Sequence, residues 1–98
     1  MARVIITDPD IKELVPGYLK NREAEIPELE AALASNALDV IRSTFHKVKG
    51  TAGGYGFPVM EELARQVESA ALEKNLSQVQ KCFEEYLAYL RNLQVVNE

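Results

Sequence analysis

The chain has 98 residues and a mass of 11.0 kDa, enough for one domain with a single core and too short for two; 47% hydrophobic and 27% charged residues exclude general disorder. A net charge of -4 and a pI near 5.0 argue against nucleic acid or an anionic membrane as the main partner. No apolar run reaches the ~18 residues of a membrane span, the N-terminal residues lack the layout of a signal peptide, and one cysteine with one histidine excludes an internal disulfide and a Cys/His zinc site. The expectation is a metal-free, cytoplasmic single domain spanning residues 1–98.

Taken in chain order, Thr7-Asp8-Pro9-Asp10 predicts a helix start. Asp8 suits the N-cap, Pro9 the first helical position, and Asp10 the positive end of the helix dipole. This helix is expected to be short, because Val15 precedes Pro16 and is pushed away from helical geometry. Ahead of it, Val4-Ile5-Ile6 is too brief for a sheet and is expected to pack on the helices as an apolar lead-in. A second helix is predicted from about Pro16 to Ala34, with Leu19, Ile26, Leu29 and Leu33 at helical spacing. Pro27 should kink it or split it into two pieces.

After Ser35, Asn36 is expected to cap a third helix over roughly 37–55, with Asp39 as a weak capping-box partner. The run Gly53-Gly54-Tyr55-Gly56, followed by Pro58, ends it. A fourth helix is predicted from Pro58 to about Lys74, with Met60, Leu63, Val67 and Ala70 inside. The fifth carries Leu76, Val79, Phe83, Tyr86, Leu90 and Leu93, spacings that alternate three and four without a miss. Short links between long amphipathic helices predict an all-α fold. Its expected form is an up-down-up-down antiparallel four-helix bundle with a short extra N-terminal helix.

His46 is the one histidine. At about 100° per residue, Ile41, Phe45, Val48, Ala52 and Tyr55 form the apolar stripe of the third helix. His46 lies roughly 150° from the centre of that stripe, so its imidazole should face water. Lys49, Gly50 and Gly53 share its face at i+3, i+4 and i+7. Each exposed glycine costs a helix about 1 kcal/mol relative to alanine. Core packing does not explain two of them there; clearance for an approaching surface does. Lys49 places a cation one turn from the imidazole, suited to balancing a phosphoryl group.

The stretch from His46 to Phe57, with its His-x-x-Lys-Gly core and following small residues, resembles the signature of histidine-containing phosphotransfer (HPt) domains. Ile26 to Leu33 and Leu63 to Ala71 also resemble the family's flanking helices, and the resemblance covers about residues 19–93. It implies a phosphorelay intermediate. A receiver-domain aspartyl phosphate, or a histidine kinase or hybrid kinase, would donate to His46 at Nε2, and a receiver aspartate would take the phosphoryl group on. Receivers would supply the Mg²⁺. The chain has no Gly-rich phosphate loop and no set of kinase motifs, so it is expected to be a carrier and not an ATP-using enzyme.

In many family members a polar residue of the next helix hydrogen-bonds the imidazole, and counting puts Glu68 there, with Gln66 a weaker substitute. A carboxylate would orient the ring and favour its protonated form; the plainer reading is a solvated surface charge. Arg42, one turn before His46, could join the docking face with Gly50 and Gly53 or be an ordinary exposed arginine. Lys47, Arg65 and Thr51 read as surface or space-filling residues, although Lys47 and Arg65 could touch a receiver's rim. Cys82 reads as a small buried hydrophobe and Tyr55, Tyr86 and Tyr89 as packing; Phe57 should brace the helical turn. The competing reading is a helical module that binds a receiver or kinase without being phosphorylated. Since the fifth helix's stripe is used inside the molecule, a monomer is expected.

Overall fold

A computed structural model describes residues 2–6 and 8–96, so Thr7 of the expected start signal lies outside the described residues. The element order is β1 (Ala2–Ile5), α1 (Pro9–Ala24), α2 (Ile26–Ala34), α3 (Leu38–Ala52), α4 (Pro58–Leu72), α5 (Leu76–Arg91) and β2 (Leu93–Val96). The molecule is mostly helical and elongated, 41 × 20 × 19 Å.

At the start of α1, Asp8 accepts a hydrogen bond from the backbone N–H of Asp10 at 2.9 Å, with Pro9 in the first turn, as expected. The helix then passes through Pro16 to Ala24 instead of ending at Val15, so the expected short N-terminal helix is not a separate element. An interior proline costs a helix about 3 kcal/mol or more. Here it is offset by tertiary packing, because Val15 and Tyr18, either side of it, are both buried in the core. Continuity breaks later, at Glu25, where Pro27 in the first turn of α2 has no N–H to extend the preceding helix.

Asn36 does not cap α3. It adopts φ 58°, and α2 closes with Asn36 N–H on Leu33 O at 3.2 Å and Ala37 N–H on Ala32 O at 2.8 Å. That is a left-handed helix stop, and asparagine tolerates it better than most residues. The same device recurs at Lys74 (φ 57°), after which Asn75 caps α5 by accepting from Gln78 N–H at 3.2 Å. Between α3 and α4 the chain needs Gly56, at φ 88°, for its reversal, and Phe57 N–H closes on Ala52 O at 2.9 Å. Phe57 itself is fully buried and braces this turn.

The core joins all five helices of the described residues. Ile41, Phe45, Val48 and Ala52 of α3 pack toward Met60, Ala64 and Val67 of α4 and Val79, Phe83 and Tyr86 of α5. Phe45 meets Phe83 and Tyr86 edge-on, with centroids 6.1 and 4.9 Å apart, the geometry aromatic quadrupoles favour. Cys82 is buried, as expected, and accepts a contact from Gln78 Nε2 at 3.4 Å.

The two chain ends depart from the sequence reading. Ala2–Ile5 forms a strand after all, paired in parallel with Leu93–Val96 in the register Val4 to Val95, and Leu93 belongs to β2 and not to α5. Each segment is too short to hold a sheet alone. Together they lie against the helices through Ile6, which is buried, and through half-buried Val4, Leu93 and Val95. No helix among the described residues is long and apolar enough to cross a membrane.

Candidate functional site

The apolar stripe of α3 settles where His46 points. With Ile41, Phe45, Val48 and Ala52 all buried, His46 falls on the outer side, and its side chain is 66% exposed. Its Nδ1 lies 2.6 Å from Oε2 of Glu68 on α4. The other carboxylate oxygen, Oε1, lies 2.6 Å from Nζ of Lys49. Glu68 is therefore buried and bridges the two residues that share the exposed face of α3, rather than lying loose in solvent. Gln66, on a neighbouring face of α4, is not the ring's partner.

The bridge has direct electrostatic consequences. The Lys49 hydrogen bond is the largest influence on Glu68 and holds its carboxyl below the usual carboxylate range. Burial pulls the other way, and the His46 ring adds to the lowering. An ionised Glu68 accepts hydrogen bonds only, so the imidazole proton sits on Nδ1. In the neutral ring that tautomer leaves the Nε2 lone pair free on the solvent side. The arrangement fixes the orientation of the imidazole, with Nδ1 turned to Glu68 and Nε2 to the outer side.

The small residues around the ring differ from one another. Nothing stands within 4 Å of the place a Cβ would take at Gly50, so the surface there is open. At Gly53 a Cβ would collide with the carboxylate of Glu61 on α4, which lies over that turn. The atoms met there are the far end of an exposed, flexible side chain, a contact the sequence reading missed. The signal was available: Glu61 precedes Glu68 by seven residues, two helical turns on one face. Gly53 meets Glu61 and His46 meets Glu68, so contacts between α3 and α4 run in opposite chain directions.

Arg42 is exposed one turn before His46. Arg65 is held by Glu62, its Nη2 2.6 Å from Oε2, and Lys47 is exposed. Thr51 does more than fill space. Its hydroxyl donates to Lys47 O at 3.0 Å and shares a hydrogen bond with the Tyr18 hydroxyl at 2.8 Å. Tyr18 in turn stacks on Tyr55 at 4.2 Å and lies under the Arg22 guanidinium at 4.6 Å. This ties α1 to the helix that carries His46. Tyr86 is fully buried and Tyr89 half-buried, and burial raises both phenols above their ordinary range.

Residues 13–95 match the family model of the Hpt domain. The chain belongs to this family, whose members are phosphocarriers of two-component signalling relays rather than kinases and interact with receiver domains and histidine kinases. Comparison with curated proteins and with solved structures gave no significant match.

Proposed function

We propose that His46 is the phosphoacceptor of a phosphorelay module, taking a phosphoryl group at Nε2 from a receiver aspartyl phosphate or a histidine kinase and passing it to a receiver aspartate. The observation that carries this reading is a two-thirds exposed imidazole whose Nδ1 is held by a buried carboxylate. In transfer from a receiver, the Nε2 lone pair attacks phosphorus, the P–O bond to the aspartyl carboxylate breaks, and that carboxylate leaves with the bonding pair. The ring becomes a phosphorylated imidazolium whose Nδ1–H stays on Glu68. Onward transfer breaks the N–P bond and returns a neutral imidazole, so no proton has to move in either step. Glu68 stabilises the cationic ring in between.

Lys49 lies one turn from the ring and can move from Glu68 toward the phosphoryl oxygens, since its side chain is about a third exposed. Gly50 gives the receiver close approach, and Arg42 extends the docking face. Gly53 lies on the same face, two turns after His46. The Mg²⁺ and the accepting carboxylate come from the receiver, as positioning and charge compensation dominate phosphoryl transfer. The helices serve as an up-down-up-down bundle, a rigid post for one exposed nucleophile, acting as a monomer.

The test is incubation with a panel of phosphorylated receiver domains and Mg²⁺, read by intact mass. One added phosphate, acid-labile and alkali-stable, and absent from His46→Gln, supports the reading. A receiver that binds tightly without transferring phosphate would replace it with an interaction-only module.

A further inference from the structure

Around the bundle, α2 packs on α3, α3 on α4, and α4 on α5. His46 and Glu68 straddle the α3–α4 seam. The edge across the bundle from it, between α2 and α5, is not closed. Glu30 and Leu33 of α2 with Gln80, Phe83, Glu84 and Leu87 of α5 line an open recess of about 450 Å³. Its floor is apolar: Phe83 and Leu87 are buried and Leu33 half-buried. Its rim is anionic, with Glu30 and Glu84 exposed and in no ion pair among the described residues.

The charge has a sequence origin. From Glu23 to Ile41 the chain carries Glu23, Glu25, Glu28, Glu30 and Asp39 with no lysine or arginine. Lys81 and Arg91 of α5 are close in sequence but do not line the recess. On α5 the lining residues Gln80, Glu84 and Leu87 span two helical turns, about 10 Å at 1.5 Å per residue.

We infer that this recess is a docking groove for a basic amphipathic helix of a partner protein. Aliphatic side chains of such a helix cover Leu33, Phe83 and Leu87, and its flanking lysines or arginines meet Glu30 and Glu84. Helix-in-groove recognition uses this combination of an apolar stripe and a charged rim. An uncharged or acidic occupant would desolvate two carboxylates without pairing them, which is unfavourable. Because the groove lies across the bundle from His46, it can be filled while the histidine faces a receiver. The inference does not depend on phosphotransfer.

The probe is a short acetylated and amidated leucine–lysine peptide patterned as an amphipathic helix, titrated into the full chain. Binding is followed by backbone amide NMR and by calorimetry. Shifts should concentrate at Glu30, Leu33, Gln80, Glu84 and Leu87. The double variant Glu30→Lys/Glu84→Lys should weaken binding about tenfold or more, whereas Glu13→Lys/Glu73→Lys, with the same change in net charge, should stay within about twofold. Far-ultraviolet circular dichroism of both variants checks that they fold. Equal weakening by both variants would show general charge attraction and overturn the inference. So would shifts centred on His46, a groove occupied by a second copy of the chain, or no binding.

Discussion

Glu68→Gln separates the two jobs of the buried carboxylate. Glutamine keeps the shape and can still accept the Nδ1–H of His46, but it offers Lys49 no charge. A charge-assisted hydrogen bond contributes ~1.5–3 kcal/mol. Lys49 is about a third exposed, so part of that is recovered when its ammonium returns to water, leaving a net loss of about 1–2 kcal/mol. For a domain of this size the thermal midpoint should fall by about 5–15 °C. The pH dependence carries a sign. Folding holds the Glu68 carboxyl below its usual range, so in acid the unfolded chain takes up that proton first. The stabilisation is complete above the unfolded carboxylate value and is lost as pH falls through the lower folded one. Urea unfolding of both proteins from neutral pH into acid should therefore show a gap that is constant near neutrality and narrows in acid. Equal stabilities at neutral pH, or a gap that widens on acidification, would refute the bridge as described.

Other substitutions test other parts of the account. His46→Gln should remove phosphorylation while unfolding free energy stays within about 0.5 kcal/mol of the parent, since the side chain is mostly exposed; a large loss in denaturation would contradict the placement of the ring. At Gly50, alanine should stabilise by up to about 1 kcal/mol because the space is open, while leucine should slow transfer about tenfold or more without unfolding the chain; an unchanged transfer rate would remove the clearance role. Gly17→Ala, also in open space on an exposed helical turn, should raise the thermal midpoint by a few degrees, from about 0.5–1 kcal/mol. Tyr18→Phe keeps the stack on Tyr55 but loses the bond to Thr51, and calorimetry should register a loss of about 1 kcal/mol.

Much of this molecule was legible from spacing. The buried stripe of α3 fixed the outward direction of His46, and the three-and-four spacing of Val79, Phe83, Tyr86 and Leu90 marked α5. The failures share a cause: local rules outweighed by contacts remote in sequence. Pro16 reads as a helix end, yet burying Val15 and Tyr18 keeps α1 continuous. Ala2–Ile5 is too short for a sheet until the far end of the chain pairs with it. Asn36 fits an N-cap and a left-handed stop equally well in sequence, and the hydrogen bonds closing α2 select the stop. At the site, counting along α4 reached Glu68, but it did not reveal that the carboxylate is buried and shared with Lys49. Nothing nearby in sequence announced that the Glu61 carboxylate lies over Gly53.

The most direct test of the central claim is side-chain ¹⁵N NMR of His46 before and after incubation with a phosphorylated receiver that transfers to the chain. The account predicts a proton on Nδ1 and a bare Nε2 beforehand. Afterwards a ³¹P coupling should appear on Nε2, with the Nδ1 proton still in place. Phosphorus on Nδ1, or on any residue other than His46, would contradict it.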